Sequence, residues 1–194
     1  MKTLISILFL LAASVYLFGQ TGFTPHGIDP DHTAVSGIAA VDYDNDGDVD
    51  LIANHRVNNE VLIWENDGNV QPEWTKTLLT GQISEPMYIF AGDINLDSLP
   101  DLVISSASSN SLYCLLNIDG NNHWDIFTMD DSFHGAHGVC IETINNDSLP
   151  DIIATASGDN SIAWWENNGG EPDTWAKNEI TDQMDGSQTV TAAD

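Results

Sequence analysis

The sequence predicts an all-β fold made of β-propeller blades of about 50 residues each. An acidic segment recurs three times, at residues 42–50, 93–101 and 143–151, with offsets of 51 and 50 residues. Two apolar, strand-like runs and a third run that begins with an aromatic residue follow each copy. Repeats of this length built from short strands are typical of propeller blades, because one four-stranded sheet cannot bury both of its faces alone. An open β-solenoid is the alternative.

The N-terminal residues 1–20, MKTLISILFLLAASVYLFGQ, are predicted to be a secretory signal peptide. One lysine precedes an apolar stretch over residues 4–18, which is shorter than the roughly 18 to 20 apolar residues of a membrane span. We expect cleavage near Gly19 or Gln20, and no membrane insertion of the cleaved chain. The protein is then extracellular, periplasmic or displayed at the cell surface, and the repeats occupy residues 21–194.

The chain is strongly acidic, with 30 Asp and Glu residues against 4 Lys and Arg and a formal net charge of −26. Nucleic acids and anionic membranes need basic surfaces, so both are excluded as partners. Because 42% of the residues are hydrophobic and six are Trp, the chain is not a disordered acidic tail. A multivalent cation is the simplest partner for so many carboxylates.

Each unit contains two further recurring features. The second strand and its turn read VLIWENDG (61–68), LYCLLNIDG (112–120) and IAWWENNGG (162–170). A final strand carries an aromatic residue five positions before an apolar one, in the pairs Trp74/Leu79, Trp124/Met129 and Trp175/Ile180. These recurring aromatic residues are expected to pack between the blades, since large rings fill the gap between neighbouring sheets. The same spacing in Phe23/Ile28 predicts the last strand of an incomplete unit before the first loop. Asp194 aligns with the first residue of a further loop, so three full repeats lie between partial ends.

The first acidic loop, DYDNDGDVD, has the ligand spacing of a calcium site. Calcium prefers six to eight oxygen ligands, and a tight loop supplies them from alternate positions while glycine permits the turn. The side chains of Asp42, Asp44, Asp46 and Asp50 fall at positions 1, 3, 5 and 9, and the carbonyl of Asp48 serves position 7. A solvated Asx-rich turn is the alternative, but five carboxylates on one turn repel one another without a cation.

An EF-hand is not expected at these loops. That site needs a helix on each side and a bidentate Glu at position 12. Position 12 is Ala53, Ile104 or Ala154, and strand-like runs flank every copy.

The second and third loops depart progressively from the first. The second offers Asp93, Asn95, Asp97 and Asp101, with the carbonyl of Leu99. The third begins with Thr143 and offers Asn145, Asp147 and Asp151, with the carbonyl of Leu149. Serine replaces the loop glycine in both. Since fewer carboxylates mean weaker binding, we expect calcium affinity to decline from loop one to loop three, with Glu142 as a substitute donor in the last.

The pattern DxDxDGxxD between strands, as in DYDNDGDVD and in the diverged FAGDINLDSLPD, resembles the calcium loop of FG-GAP and VCBS repeats, the blades of integrin-α-like propellers. The resemblance covers roughly residues 23–194. It implies a β-propeller, often seven-bladed, with Ca²⁺ in the loops of individual blades. It also implies an extracellular setting and a non-catalytic role in binding or adhesion, with a protein or glycan ligand.

Other functional readings stay open beside this one. His134 and His137 are three residues apart, as in a metal or catalytic pair, although surface histidines are the commoner case. Trp164 is a candidate for sugar stacking, because its counterparts Ile63 and Cys114 show that the repeat does not require Trp there. Cys114 and Cys140 form either one disulfide or two buried thiols. The rival function is the propeller part of a polysaccharide lyase or another carbohydrate-active enzyme with its catalytic residues elsewhere.

Overall fold

The computed structural model describes residues 26–31 and 34–192, in which twelve strands form three four-stranded antiparallel sheets. Blade 1 contains β1 (Val35–Val41), β2 (Asp50–His55), β3 (Glu60–Asn66) and β4 (Trp74–Thr80). Blade 2 contains β5 (Ile89–Gly92), β6 (Asp101–Ser106), β7 (Ser111–Asn117) and β8 (Trp124–Asp130). Blade 3 contains β9 (Ala136–Glu142), β10 (Asp151–Ala156), β11 (Ser161–Glu166) and β12 (Ala176–Thr181). One 3-10 turn, Pro172–Thr174, precedes β12.

Within each blade the strands pair in chain order, so every sheet is a simple meander. The hairpin between the second and third strands closes through an asparagine with positive φ, at Asn59 (61°), Asn110 (56°) and Asn160 (54°). Asparagine tolerates this left-handed conformation better than most residues, which explains its recurrence at the turn. Pairing inside each repeat, rather than between repeats, favours the predicted blades over the solenoid.

The hydrophobic core lies between the blades. Side chains alternate along β6: Leu102 and Ile104 pack against Ile52 and other residues of blade 1, while Val103 packs in the core shared with blade 3. All three are fully buried. This two-sided burial explains why the middle strands read as continuous apolar runs.

Recurring tryptophans fill these inter-blade cores, as the sequence predicts. Trp165 is buried between blades 2 and 3, where its ring meets Phe133 edge-on at a centroid distance of 5.1 Å. Trp175 lies in the same core, and Trp124 lies against the core of blades 1 and 2.

The repeat position of Trp164 is a packing position in the other two blades. Its counterparts Ile63 and Cys114 are buried against the next blade in the chain. Trp164 therefore stands at a blade-packing position, and it is partly exposed on the face of blade 3 that points away from blade 2.

The strand expected over Phe23/Ile28 is not formed in its described part, residues 26–31, and Phe23 lies outside the described residues. Asp29 in this segment nevertheless holds the repeat position of Asp130, the last residue of β8. Asp29 Oδ2 accepts a hydrogen bond from Lys76 Nζ at 2.9 Å, and Asp130 Oδ2 accepts one from Lys177 Nζ at 3.1 Å, at the equivalent repeat positions. A strand needs a paired neighbour, and none of the described strands pairs with this segment, which contacts β3 and β4 through side chains.

Cys114 and Cys140 are both free and buried, so the disulfide alternative is wrong. Burial raises the pKa of both thiols.

Within residues 26–31 and 34–192, no helix has the length and hydropathy of a membrane span. The predicted signal peptide, residues 1–20, lies outside the described residues.

Candidate metal sites

The three acidic loops join the first and second strands of the blades and share one backbone path. Their fourth residues, Asn45, Leu96 and Asn146, have φ values of 60°, 62° and 61°. Their sixth residues, Gly47, Ser98 and Ser148, have φ values of 100°, 76° and 73°. Glycine adopts this region without strain and serine does not, so the departures seen in the sequence leave the fold of the loop intact at a small energetic cost.

Loop one brings three carboxylates together. Ligand oxygens of Asp42, Asp44 and Asp50 lie within 4.8 Å of one another. Calcium bonds its oxygen ligands at 2.3 to 2.6 Å, so ligands on opposite sides of the ion are about 5 Å apart. The cluster fits an ion of that size. Asp46 and Asp48 belong to the same loop but lie outside this cluster.

The last aspartate of each loop also has a purely structural role that its spacing alone does not indicate. Asp50 is fully buried, and its carboxylate accepts hydrogen bonds from Tyr43 N (3.2 Å) and Asn66 N (2.8 Å). Asp101 and Asp151 repeat this arrangement in blades 2 and 3. Each of these residues therefore fixes the second residue of its own loop to the asparagine 16 residues later, which lies at or just after the end of the third strand.

Loop two has the same internal hydrogen bonds as loop one. The carboxylate of Asp93 accepts N–H groups from Asp97 (3.0 Å) and Ser98 (2.9 Å), as Asp42 accepts those of Asp46 (3.1 Å) and Gly47 (3.0 Å). Asn95 and Asp97 accept the N–H groups of Asp97 and Leu99 in turn. Among the described His, Cys, Asp and Glu residues, only the loop one set forms a metal-sized cluster, in line with the fewer carboxylates of loop two.

Loop three is held by side-chain hydrogen bonds. Asn145 Nδ2 donates to Asp147 Oδ2 at 2.9 Å and to Glu166 Oε1 at 3.1 Å. Glu142 accepts the N–H of Thr143, the first residue of loop three, at 3.2 Å, and its role as a substitute donor to a cation stays a prediction. Glu166 of β11 also contacts the loop, and Asp151 and Leu149 keep their repeat positions.

The counterpart of Glu166 in blade 1 is Glu65, which accepts a hydrogen bond from the hydroxyl of Tyr43 at 3.4 Å. Sequence reasoning missed both glutamates, although the recurring WEN motif placed them.

Burial raises the pKa of Asp44, and the nearby carboxylates of Asp46, Asp50 and Glu65 raise it further. Burial also raises the pKa of Asp50. The metal-free loop thus disfavours its own ionised form, and a bound cation would reverse that effect.

The two candidate histidines do not converge on one site. His134 Nδ1 lies 3.0 Å from Asp159 Oδ1, whereas His137 Nδ1 lies 2.9 Å from Gln188 O and its ring packs on Tyr88 at 4.8 Å. His134 thus links the segment before β9 to the turn between β10 and β11, and His137 links β9 to the segment after β12. The structure does not bring the two histidines together as the metal or catalytic pair that their spacing allowed.

Comparison with known proteins identifies the repeat. Residues 42–104 match the family described as FG-GAP-like repeat. This segment of the chain carries an FG-GAP-like repeat. The matched segment runs from loop one through β2, β3, β4, β5 and loop two to Ile104 in β6, and it leaves out β1. No curated protein matches the sequence.

A solved structure supports the blade architecture of this repeat protein. The chain is similar in fold to the selenomethionine-substituted virginiamycin B lyase from Staphylococcus aureus, with a TM-score of 0.53 and 14% sequence identity. The similarity covers 82% of this chain and 46% of that chain, so the repeats span less than half the length of the lyase. At this identity the likeness concerns the propeller-like fold alone.

Proposed function

We propose that the chain is a secreted, calcium-binding β-propeller module that binds an extracellular protein or glycan and catalyses no reaction. The observation that carries the proposal is the cluster of Asp42, Asp44 and Asp50 in loop one. Every predicted ligand in the three loops is a carboxylate, amide or backbone oxygen, without His or Cys. Such an all-oxygen set suits calcium and is a poor match for zinc or copper.

The proposed metal role is structural. The loops join paired strands, and their ninth residues are tied to the blade by backbone hydrogen bonds. A cation there would neutralise crowded carboxylates and hold two strands together. At a calcium concentration about a hundredfold above Kd, one site that binds only the folded chain adds about 2.7 kcal/mol to the free energy of unfolding.

The loops are expected to differ in affinity in the order one, two, three. Loop one has four carboxylates at ligand side-chain positions, loop two has three and loop three has two. In loop three, the side-chain amide of Asn145 already donates hydrogen bonds to the carboxylates of Asp147 and Glu166. Its side chains therefore gain least from a cation.

The enzyme alternative gains no specific support beyond the fold of the lyase neighbour. The three basic residues of the described part each pair with an acid: Arg56 with Glu85, Lys76 with Asp29, and Lys177 with Asp130. An acidic polysaccharide would have to compete with these pairs. Release of unsaturated products from polyuronic acids, followed by absorbance, would favour the lyase alternative over the binding module.

Isothermal titration of the full chain with CaCl₂ tests the metal part of the proposal. Asp44→Ala should abolish the tightest binding step, because it removes one of three clustered carboxylates. Asp119→Ala is the matched control, since it deletes an exposed aspartate outside the loops. Equal isotherms for Asp44→Ala and the native chain would contradict the assignment of loop one.

The secretion part has its own test. Expression of residues 1–194 followed by N-terminal sequencing of the exported protein should give a mature chain that starts near residue 20. Retention of the uncleaved chain inside the cell would overturn the extracellular setting.

A further inference from the structure

A buried asparagine of blade 2 joins loop one to loop two. Asn117 Nδ2 donates to the backbone carbonyl of Tyr43 in loop one at 2.7 Å. Its backbone N–H donates to Asp101 Oδ1 of loop two at 2.8 Å, and its Oδ1 accepts the N–H of Gly120 at 3.0 Å. Asn117 is fully buried and all of its side-chain polar atoms are engaged.

The same arrangement joins loop two to loop three. Asn167 Nδ2 donates to the carbonyl of Ile94 in loop two at 3.0 Å, and its N–H donates to Asp151 Oδ1 of loop three at 2.8 Å. Its Oδ1 accepts the N–H of Gly169 at 2.9 Å, and Nδ2 also contacts Pro150 O at 3.0 Å. The link is therefore a property of the repeat.

These links form one hydrogen-bonded chain across three blades. Ile94 closes the gap between them, because its N–H donates to Asp101 Oδ2 at 2.8 Å while its carbonyl accepts the bond from Asn167. The chain runs, in order, through Tyr43, Asn117, Asp101, Ile94, Asn167 and Asp151, all of which are buried. Hydrogen bonds shielded from water are electrostatically stronger than exposed ones, and successive bonds in a chain strengthen one another.

We propose that this chain of hydrogen bonds couples cation binding in the three loops, so that filling one loop raises the calcium affinity of its neighbour. The proposal rests on the function proposed above, in which the loops bind calcium. The coupling residues are Asn117 and Asn167, which touch no cation themselves and act by positioning the loops.

The sign of the coupling follows from ordering. A cation in loop two immobilises Asp101, which fixes Asn117 and hence the carbonyl of Tyr43 in loop one. Part of the ordering cost of loop one is then already met, and this gives positive cooperativity without a change of fold. By thermodynamic linkage, a cation in loop one raises the affinity of loop two by the same factor.

Loop one also contacts blade 2 directly. Asn45 Nδ2 donates to Ser98 O of loop two at 2.9 Å in an exposed position. A Cβ on Gly120 would lie 3.2 Å from Asp44 Cα, so the turn after Asn117 packs tightly on the loop backbone. Both contacts place the two loops in one packed unit, and the buried link through Asn117 is its shielded part.

Calcium titration of the ¹⁵N-labelled full chain, followed by NMR, measures each loop separately. The amides of Gly47 and Ser98 report on loops one and two. Emptying loop two by Asp97→Ala should weaken calcium binding at loop one by about fivefold or more, the lower end of typical allosteric coupling. In an Asn117→Ala background, the same Asp97→Ala change should leave loop one affinity unaltered.

The matched control is Asn66→Ala. Asn66 holds the same repeat position in blade 1, but its Nδ2 donates to Val49 O within its own blade. The effect of Asp97→Ala on loop one should therefore persist in the Asn66→Ala background. If Asn117→Ala fails to fold, Asn117→Asp keeps the size of the side chain but replaces its donor by a charged oxygen, and Asn66→Asp is the control for the added charge.

Two results are separately decisive. If the native chain shows no calcium-dependent shift at Gly47 or Ser98, the proposed metal function is itself wrong. If the native chain binds calcium and Asp97→Ala weakens loop one equally with and without Asn117, the loops are not coupled through this chain. That second result overturns the inference and leaves the proposed function standing.

Discussion

At the scale of single residues, the aspartates at the ninth loop position are the invariant part of the repeat. Asp50, Asp101 and Asp151 are fully buried and anchor at least two backbone N–H groups each. The first and third loop positions vary, and loop three has lost both of their carboxylates. An aspartate that holds the blade together is needed whether or not a cation binds, which explains why it persists in the most diverged loop.

The pH dependence of the metal-free protein tests the environment of Asp101. Burial raises the pKa of this carboxyl to about 6, against the opposing effect of backbone N–H groups from Asn117 and Ile94. The folded state then binds a proton more tightly than the unfolded state, whose Asp pKa is about 3.9. In EDTA, the free energy of unfolding should fall as pH rises from about 4 to about 6.

Urea unfolding of the native chain and of Asp101→Asn at pH 4 and pH 6.5 isolates this contribution. The amide does not titrate, so the native chain should lose more stability than the variant over this interval. Parallel pH profiles for the two proteins would show that Asp101 keeps an ordinary pKa.

Leu96 occupies a left-handed backbone position, with φ 62°, where the other two loops have asparagine. Its side chain is exposed, so little burial is lost on replacement. Leu96→Asn should raise the free energy of unfolding by about 1 kcal/mol, since a left-handed residue with a bulky side chain costs about that much. A thermal melt should show Tm higher by about 2 to 4 °C. The reverse change, Asn146→Leu, should lower Tm, and equal signs for the two variants would contradict the explanation.

Asn54 is fully buried between blades 1 and 2, and neither polar atom of its side chain has a partner among the described residues. At the same repeat position, Ser105 Oγ accepts the N–H of Tyr88 (3.2 Å) and Thr155 Oγ1 accepts that of Gly138 (3.0 Å). Asn54→Thr should therefore stabilise the protein by about 1 to 3 kcal/mol, the usual cost of an unsatisfied buried group. Chemical denaturation measures this, with Ser105→Ala as the opposite change; a destabilised Asn54→Thr variant would refute it.

At the scale of the strands and loops, local chemistry made much of the structure predictable. The acidic loops, the Asn-containing hairpins and the aromatic outer strands each carry a short pattern that repeats at a fixed offset. The patterns at Trp124 and Trp175 correctly predicted inter-blade packing. The conformation of residues 26–31 and the exposure of Trp164 were not predictable from local patterns. A strand forms only beside a paired strand, and the exposure of a side chain on a blade face depends on what packs against that face.

The candidate site was predictable in part for a similar reason. Alternating aspartates indicated loop one, and its Asp42, Asp44 and Asp50 do cluster. Asn117 and Asn167 act across blades, on carbonyls more than 70 residues away in the chain. Their constant spacing of 16 residues after the last loop aspartate was visible in the sequence, but its meaning required the packing of the blades.

The first strands of blades 1 and 2 approach each other closely, which gives a prediction about blade packing. A Cβ on Gly37 of β1 would lie 2.7 Å from Met87 O, just before β5, and 3.1 Å from Ile89 N, at the start of β5. Because backbone atoms cannot yield as a flexible side chain does, Gly37→Ala should destabilise the protein by about 1 to 3 kcal/mol. Thermal melts measure this against Gly27→Ala, whose Cβ meets no atom within 4 Å. Equal melts for the two variants would contradict the packing.

At the scale of the whole molecule, three blades stack through two apolar cores, and the acidic loops lie at equivalent points of successive blades. A net charge of −26 destabilises any compact state through self-repulsion. Cations in the loops would lower that repulsion where it is most concentrated. Calcium at the proposed sites would therefore stabilise the fold as a whole, beyond the strands that the loops join.

A thermal melt of the full chain in millimolar CaCl₂ and again in excess EDTA, followed by tryptophan fluorescence, tests this central claim most directly. Stabilisation by about 2.7 kcal/mol per saturated site predicts a Tm higher by several degrees in calcium than in EDTA. The increase should be mostly lost in Asp44→Ala. An identical cooperative melt in calcium and in EDTA would contradict the claim that calcium holds these loops.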